Sequence, residues 1–250
     1  MNKTIWTVWF QGWDNAPEIS KKCLQSWKYH NPTWDIKELN LNNLSEYIDI
    51  SKEISDLNLS KINKLCYSDI VRLFLLKNYG GVWVDSTVFC NKPLDDWIPE
   101  QTYLFKNPYD DFRMVSSWFI SSGEEGKSSY IVNKWYDAMI EYWKNRISNN
   151  DISRFEGCWV HRLFGVCYNR DSIFREIWDS YPKMGCNYRY SRAIGPHFFV
   201  PYEKYFHEEL NNNIKDIIDS KIHPIYKLNH KVSMSLNNTS IGYLFNTIGD

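Results

Sequence analysis

The sequence predicts an α/β fold: one domain with a central, mostly parallel sheet and a helix-rich C-terminal half. Three observations carry this expectation. Residues 5–39 read as strand, helix, strand. Residues 60–85 read as a long apolar helix, a paired-glycine stop and a short buried strand. The 250 residues contain no repeat, low-complexity tract or clear linker to divide them, and a chain of that length can bury a substantial core.

Ile5 to Phe10 is a short, almost wholly apolar run, as expected of a strand covered on both faces. Gln11–Asn15 is a loop, and Asn15 is expected to cap the following helix, with Pro17 and Glu18 in its first turn. Ile19, Cys23 and Trp27 recur at helical spacing, which predicts a helix over 17–29. Asn31-Pro32 ends it, and residues 34–39 alternate like a second strand. A β-α-β start implies parallel pairing through a right-handed crossover.

Residues 42–59 are polar and read as loop or short helical pieces. From Ser60 to about Asn78 the apolar positions spread over a broad helical surface, and Gly80-Gly81 stops the helix. Val82-Trp83-Val84 is then a buried strand with Asp85 at its carboxyl end, the edge where open α/β sheets bind ligands. Further on, residues 116–122 read as a strand, and 128–145, 157–168 and 171–180 as helices. The last 70 residues, rich in Tyr, Asn, His and Pro, resist assignment.

A formal net charge of -1 with interspersed lysines and acids argues against a nucleic-acid partner. Six cysteines without C-x-x-C spacing read as small buried hydrophobes rather than a zinc site or disulfide framework. The N-terminus lacks the pattern of a signal peptide, and no apolar run approaches the ~20 residues that span a bilayer. A cytoplasmic protein is expected, with peripheral contact at the inner face of the cell membrane left open. Twelve Trp, 17 Tyr and 13 Phe exceed ordinary usage; such rings serve either a core or a sugar-stacking surface, and composition does not choose between them.

Asp69 and Arg72 are three apart on the long helix and share a face. On a solvated surface this would be an ordinary ion pair, but the helix around it is apolar, which points the pair toward a cleft. A buried Arg beside a carboxylate needs partners, and sugar hydroxyls or a diphosphate supply them. Asp85-Ser86-Thr87 alone would be an ordinary strand-to-turn segment. With Gly80-Gly81 before it and Asp69 and Arg72 on the preceding helix, Asp85 becomes a candidate ligand for Mg²⁺ or Mn²⁺, which take oxygen ligands and phosphate.

The stretch Ser68-Asp69-x-x-Arg72, then Tyr79-Gly80-Gly81, an apolar strand and Asp85-x-Thr87 resembles the core of family-32-like, GT-A-fold glycosyltransferases. That group includes capsular polysaccharide synthesis proteins and, more distantly, the glucosyltransferase domains of large clostridial toxins. Val8-Trp9-Phe10-Gln11-Gly12 is similar to the group's first strand and donor loop. Glu156 to His161, Pro196-His197 and residues 225–231 are similar to its later elements.

The resemblance implies a single glycosyltransferase domain over 1–250, with a nucleotide-sugar-binding half (1–100) and an acceptor-binding, closing half (101–250). It implies transfer from a nucleotide-sugar, foremost a UDP-sugar, to a hydroxyl of a capsular or O-antigen oligosaccharide, lipid-linked acceptors included, with retained anomeric configuration. Asp69, Arg72, Asp85 and Glu156 would be catalytic. Val8, Trp9, Phe10, Gln11, Ser68, Gly81, Trp83, Ser86, Thr87, His230 and Lys231 would join Asp69, Arg72 and Asp85 in holding the donor, with Trp9 stacked on the base. His161 and His197 would meet the acceptor, and Lys227, near His230 and Lys231, could close over the diphosphate. Thr87, which would join Asp85 on the metal, departs from the group's D-x-D pattern, and a hydroxyl is a weaker metal ligand than a carboxylate. That departure, with the many aromatics, motivates a rival reading: a non-catalytic relative that binds nucleotide or glycan.

Overall fold

The computed structural model describes residues 2–54, 62–107, 114–123, 129–151, 157–186, 195–196, 209–231 and 235–249. Strand β1 (Thr4–Val8) is buried at every position and pairs in parallel with β2 (Asp35–Leu39) on one side and β3 (Val82–Val84) on the other. Beyond β3 lies β6 (Val115–Ser121), antiparallel to it, and then β5 (Tyr103–Lys106), antiparallel to β6. The order is β2-β1-β3-β6-β5, so every strand but β6 points the same way. This bears out the expectation of a mostly parallel sheet. β2 guards its open edge with the charged Asp35, Lys37 and Glu38.

Helix α1 (Glu18–His30) joins β1 to β2 and buries Ile19, Cys23 and Trp27. Its N-terminus differs from the expectation. Asn15 sits in a short 3₁₀ turn, its side-chain amide donating to the Gln11 carbonyl at 3.0 Å, and Pro17 occupies the cap position without a side-chain bond. Helix α2 (Lys64–Tyr79) starts later than Ser60, which lies outside the described residues; Asn63 caps it by accepting from the Leu65 amide at 2.9 Å. From Ile70 to Leu76 every residue of α2 is buried, as in a helix walled on all sides.

Gly80 ends α2 at φ 69°, and Gly81 follows at φ 85°. A Cβ on Gly81 would stand 2.5 Å from the Thr4 carbonyl oxygen, so only glycine lets β3 enter the sheet beside β1. The Trp6 indole N–H seals this corner by donating to the Gly80 carbonyl at 2.9 Å.

Helices α3 (Tyr130–Ser148), α4 (Trp159–Arg170) and α5 (Ser172–Ser180) fall close to their expected ranges, with Ser129 and Asp171 capping α3 and α5. α2 and α3 pack together, and Phe74, Trp135, Met139, Phe164 and Trp178 join one core over the sheet. Trp27, Val84, Phe105 and Phe119 belong to a second. Each such side chain, fully buried, contributes roughly 1.5–3 kcal/mol. Much of the aromatic excess is thus core, with Trp27, Trp83, Trp135, Trp143 and Trp159 almost wholly enclosed. The six cysteines are unpaired and all but Cys158 are buried, in line with their expected role as small hydrophobes.

The C-terminal segment returns to the sheet. It carries α6 (Asn212–Asp219), β7 (Ile225–Lys227) and α7 (Ser240–Asn246), and β7 pairs antiparallel with β4 (Val88–Cys90) in a second, two-stranded sheet. The Trp27 indole donates to the Val88 carbonyl at 2.7 Å and ties α1 to this small sheet. β4 begins three residues after Asp85, so the register Val88↔Lys227 brings the far end of the chain to the carboxyl edge of β3.

Candidate functional site

A hollow of about 610 Å³ opens at that edge. Its walls come from the end of β1, the inward face of α2, the turn after β3, the first part of β6, the start of α4, and β7 with the residue beyond the next turn. Val8, Trp9, Phe10, Gln11, Ser68, Asp69, Arg72, Trp83, Asp85, Ser86, Thr87, His161 and His230 all line it, so the sequence-derived candidates on β1, α2 and β3 converge. Gly81 and Lys231 do not. Gly81 stands at the opposite end of β3, where its role is the close approach to Thr4. Lys231 is exposed, its backbone N–H bonded to Asn229. Glu156 and His197 lie outside the described residues.

Arg72 is the hub. Only 5% exposed, its guanidinium donates to the Ser117 carbonyl at 2.7 Å and to Ser68 Oγ at 3.3 Å. It pairs with Asp69 and with Asp85, each at 3.1 Å. Its Cζ lies 5.2 Å from the centroid of the Trp83 ring, a cation–π contact. An isolated buried guanidinium would be costly; here two carboxylates and a carbonyl partner its terminal nitrogens, while the buried Nε has no hydrogen-bond partner among the described residues. Because Asp69 and Arg72 share a face of α2 while Asp85 ends β3, the ion pair also fixes helix to sheet.

Asp85 is the most heavily engaged acid. Its Oδ1 accepts from Arg72 Nη2 at 3.1 Å and from the Trp83 indole at 3.0 Å, and its Oδ2 accepts from Lys227 Nζ at 3.2 Å. The Lys227 ammonium also donates to Thr87 Oγ1. Burial pushes the Asp85 carboxyl up, but the Arg72 and Lys227 charges and the Trp83 bond outweigh it and hold it below the ordinary carboxylate range. Asp69 goes the other way: burial raises it to about 6, with the Asp85 charge adding, and Arg72 and the Trp159 indole opposing. Two neighbouring acids are thus pushed apart in affinity for a proton, a pattern common at functional sites.

Aromatic side chains line the same hollow. Trp9 is half-buried and meets His230 edge to face, ring centres 5.4 Å apart. Burial first, then the Lys227 and Lys231 charges, lower the His230 pKa and favour a neutral ring. Trp118 and Trp159 line the hollow from β6 and α4. Sequence reasoning overlooked Asn107, Ser116, Ser117 and the Gly157–Trp159 turn, which also contribute to the walls. The serine-rich start of β6 was a usable signal, since Ser116 and Ser117 are polar residues buried within a strand.

The divalent ion expected on Asp85 and Thr87 does not fit this arrangement. Both Asp85 oxygens already accept from nitrogen donors, and Lys227 Nζ stands between the two groups that would hold the ion. At an effective dielectric of 20, a dication about 4 Å from that ammonium would be repelled by roughly 8 kcal/mol, which cancels the attraction of one carboxylate at the same distance. Asp69, the other carboxylate, is turned to Arg72. Among the described residues no three His, Cys, Asp or Glu side chains are grouped to hold a metal.

Residues 1–247 match the profile of a family described as capsular polysaccharide synthesis protein. A glycosyltransferase, afumC, of Aspergillus fumigatus is 25% identical over 155 residues, covering 56% of this chain and 38% of the relative. An O-glycosyltransferase, PaGT, of Phomopsis amygdali is 23% identical over 167 residues, covering 58% and 40%. The chain therefore spans about two fifths of the length of these curated relatives. Among solved structures, the apo-form glycosyltransferase GlyE of Streptococcus pneumoniae TIGR4 aligns over 99% of this chain and 62% of its own, with 12% identity and a TM-score of 0.47. PaToxG glycosyltransferase aligns over 72% and 74%, with 13% identity and a TM-score of 0.45.

Proposed function

Because the chain belongs to the capsular polysaccharide synthesis protein family, we propose that it is a glycosyltransferase, a hexosyltransferase using a nucleotide-sugar, foremost a UDP-sugar. The acceptor in this reading is a hydroxyl of a capsular or O-antigen oligosaccharide, carried on a lipid at the inner face of the cell membrane. No described helix is long and apolar enough to cross a membrane.

One observation carries the reading: an indole, a guanidinium, an ammonium and two carboxylates face one hollow at the carboxyl edge of the sheet. In this proposal the first hundred residues, joined by Lys227 from the second half, hold the donor. Trp9 stacks on the base, Arg72 and Lys227 meet the pyrophosphate, and Asp69 and Asp85 orient those cations and the sugar hydroxyls. Residues 101–250 supply the acceptor side, with His161 at the mouth of α4.

The acceptor oxygen forms its bond to the anomeric carbon as that carbon's bond to the β-phosphate oxygen breaks, the bonding pair leaving on the diphosphate. The acceptor's proton passes to the departing phosphate, so the products are a glycoside and a nucleoside diphosphate. Arg72 and Lys227 offset the charge that gathers on the leaving oxygens. Both carboxylates of the hollow are bonded to cationic side chains, Asp69 to Arg72 and Asp85 to Arg72 and Lys227. Front-face attack with retention therefore suits them better than a covalent glycosyl–carboxylate.

The test is nucleotide release from a panel of UDP-, GDP- and CMP-sugars, with and without oligosaccharide acceptors. The expected result is turnover of one donor that Asp85→Ala abolishes. A donor that binds and never turns over with any acceptor would support the non-catalytic rival; no binding by any donor would contradict both.

A further inference from the structure

We infer that Lys227 is the resident cation of this site: its ammonium takes the place of a divalent ion between Asp85 and Thr87 and binds the donor's pyrophosphate without metal. The inference rests on the nucleotide-sugar reading above and assigns the charge that reading needs to one side chain.

The first support is how Lys227 is delivered. It is the last residue of β7, registered against Val88 of β4, and the flanking backbone is fixed by Lys227 N–H to the Pro196 carbonyl and Leu228 N–H to the Thr87 carbonyl, both at 2.7 Å. A strand ladder, not a free loop, therefore carries the ammonium to the turn after β3. Its side chain is 17% exposed, and Lys227 lines the hollow.

The second support is the donor count. An ammonium has three N–H groups. One goes to Asp85 and one to Thr87, and among the described residues the third has no acceptor. Lysine is a common phosphate binder that acts as a point charge, and a phosphate oxygen in the hollow would complete its set.

The third support is the residue at 87. A carboxylate there would pair with Asp85 to make an oxygen-rich metal site, whereas the Thr87 hydroxyl gives the ammonium a neutral acceptor. Asp69 and Asp85 match Arg72 and Lys227 in charge number, so among these four side chains no carboxylate is left unmatched for a dication to neutralise. In the transfer step the bonding pair between the anomeric carbon and the β-phosphate oxygen moves onto that oxygen, beside the third N–H of Lys227; the acceptor's proton leaves with the diphosphate. No metal takes part in the balance.

The experiment is calorimetric binding of UDP and GDP to the intact protein, in EDTA and in Mn²⁺. Affinity of the wild type should agree within about twofold between the two media, and Lys227→Ala should weaken binding about tenfold or more, the loss of one charge-assisted hydrogen bond. Lys227→Arg should recover part of that loss. In the double variant Thr87→Asp/Lys227→Ala, binding should become dependent on Mn²⁺. Wild-type binding that needs Mn²⁺ overturns the inference and leaves the glycosyltransferase reading standing. Absence of binding by either nucleotide to the folded wild type, in both media, overturns inference and reading together. The wild-type arms decide these outcomes even where a variant fails to fold.

Discussion

Lys227 and Asp85 are 142 residues apart in the chain and meet at 3.2 Å at the carboxyl edge of the central sheet. Arg72 reaches the other oxygen of the same carboxylate at 3.1 Å. One acid thereby gathers a cation from a buried helix and a cation from a C-terminal strand, and the hollow between them carries the proposed chemistry.

Arg72→Ala should be costly to the fold. The guanidinium is 5% exposed and holds Asp69, Asp85 and the Ser117 carbonyl, so its removal leaves two half-buried acids short of a partner. A loss of about 3–5 kcal/mol is expected from urea unfolding. Its burial adds a structural role to the catalytic one proposed for it. A loss below about 1 kcal/mol, the level of an exposed pair, would show that the guanidinium does not hold the acids.

The pH dependence of stability should carry the mark of Asp69. Its folded pKa of about 6 lies above the unfolded value, so its contribution is fully present below about pH 4 and is lost as pH rises through 6. A shift of that size corresponds to something on the order of 3 kcal/mol. Asp85, held low in the fold, acts in the opposite sense at lower pH, its contribution disappearing as pH falls through its folded pKa. Unfolding midpoints from pH 4 to 7 should therefore decline in the wild type relative to Asp69→Asn. Parallel curves for the two proteins would contradict this assignment.

Gly81→Ala should lower stability by more than about 2 kcal/mol. A left-handed backbone costs a residue with Cβ roughly 1–2 kcal/mol, and the new methyl would meet the Thr4 carbonyl at 2.5 Å. Thermal unfolding reads the effect directly, and a melting temperature unchanged from wild type would show that β3 can leave β1 without penalty.

Two tryptophans three positions apart, Trp6 within β1 and Trp9 just past its end, should behave differently. Trp9 lines the hollow, and Trp9→Ala should weaken nucleotide binding about tenfold, the stacking loss for one base, with little change in stability. Trp6 is 3% exposed and bonded to the Gly80 carbonyl, so Trp6→Phe should lower stability and leave nucleotide affinity unchanged. Reversal of the two effects would exchange their assigned roles.

The site was readable in sequence where its signals are local. The three-residue spacing of Asp69 and Arg72, the glycine pair and the strand ending on Asp85 all lie within one short stretch, and each follows from helical or strand periodicity. Where the signal is non-local, reading failed. β4 and β7 are three residues each, too short for a period to register, and their pairing joins distant parts of the chain. Sequence reasoning therefore named His230 and Lys231 among the donor-binding residues and Lys227 only as their neighbour, whereas the β4–β7 register selects Lys227 for Asp85 and leaves Lys231 in solvent. Asn15 misled for a local reason: its amide turns back to Gln11, and helix α1 begins behind Pro17 instead. Gly81 misled because a glycine beside a motif can serve the sheet alone.

A crystal structure with bound UDP tests the central claim most directly. The account expects the uracil against Trp9, a pyrophosphate oxygen within hydrogen-bond distance of Lys227 Nζ, and Arg72 still paired with Asp69 and Asp85. A pyrophosphate seated away from Lys227 and Arg72, or a nucleotide outside the hollow, would contradict it.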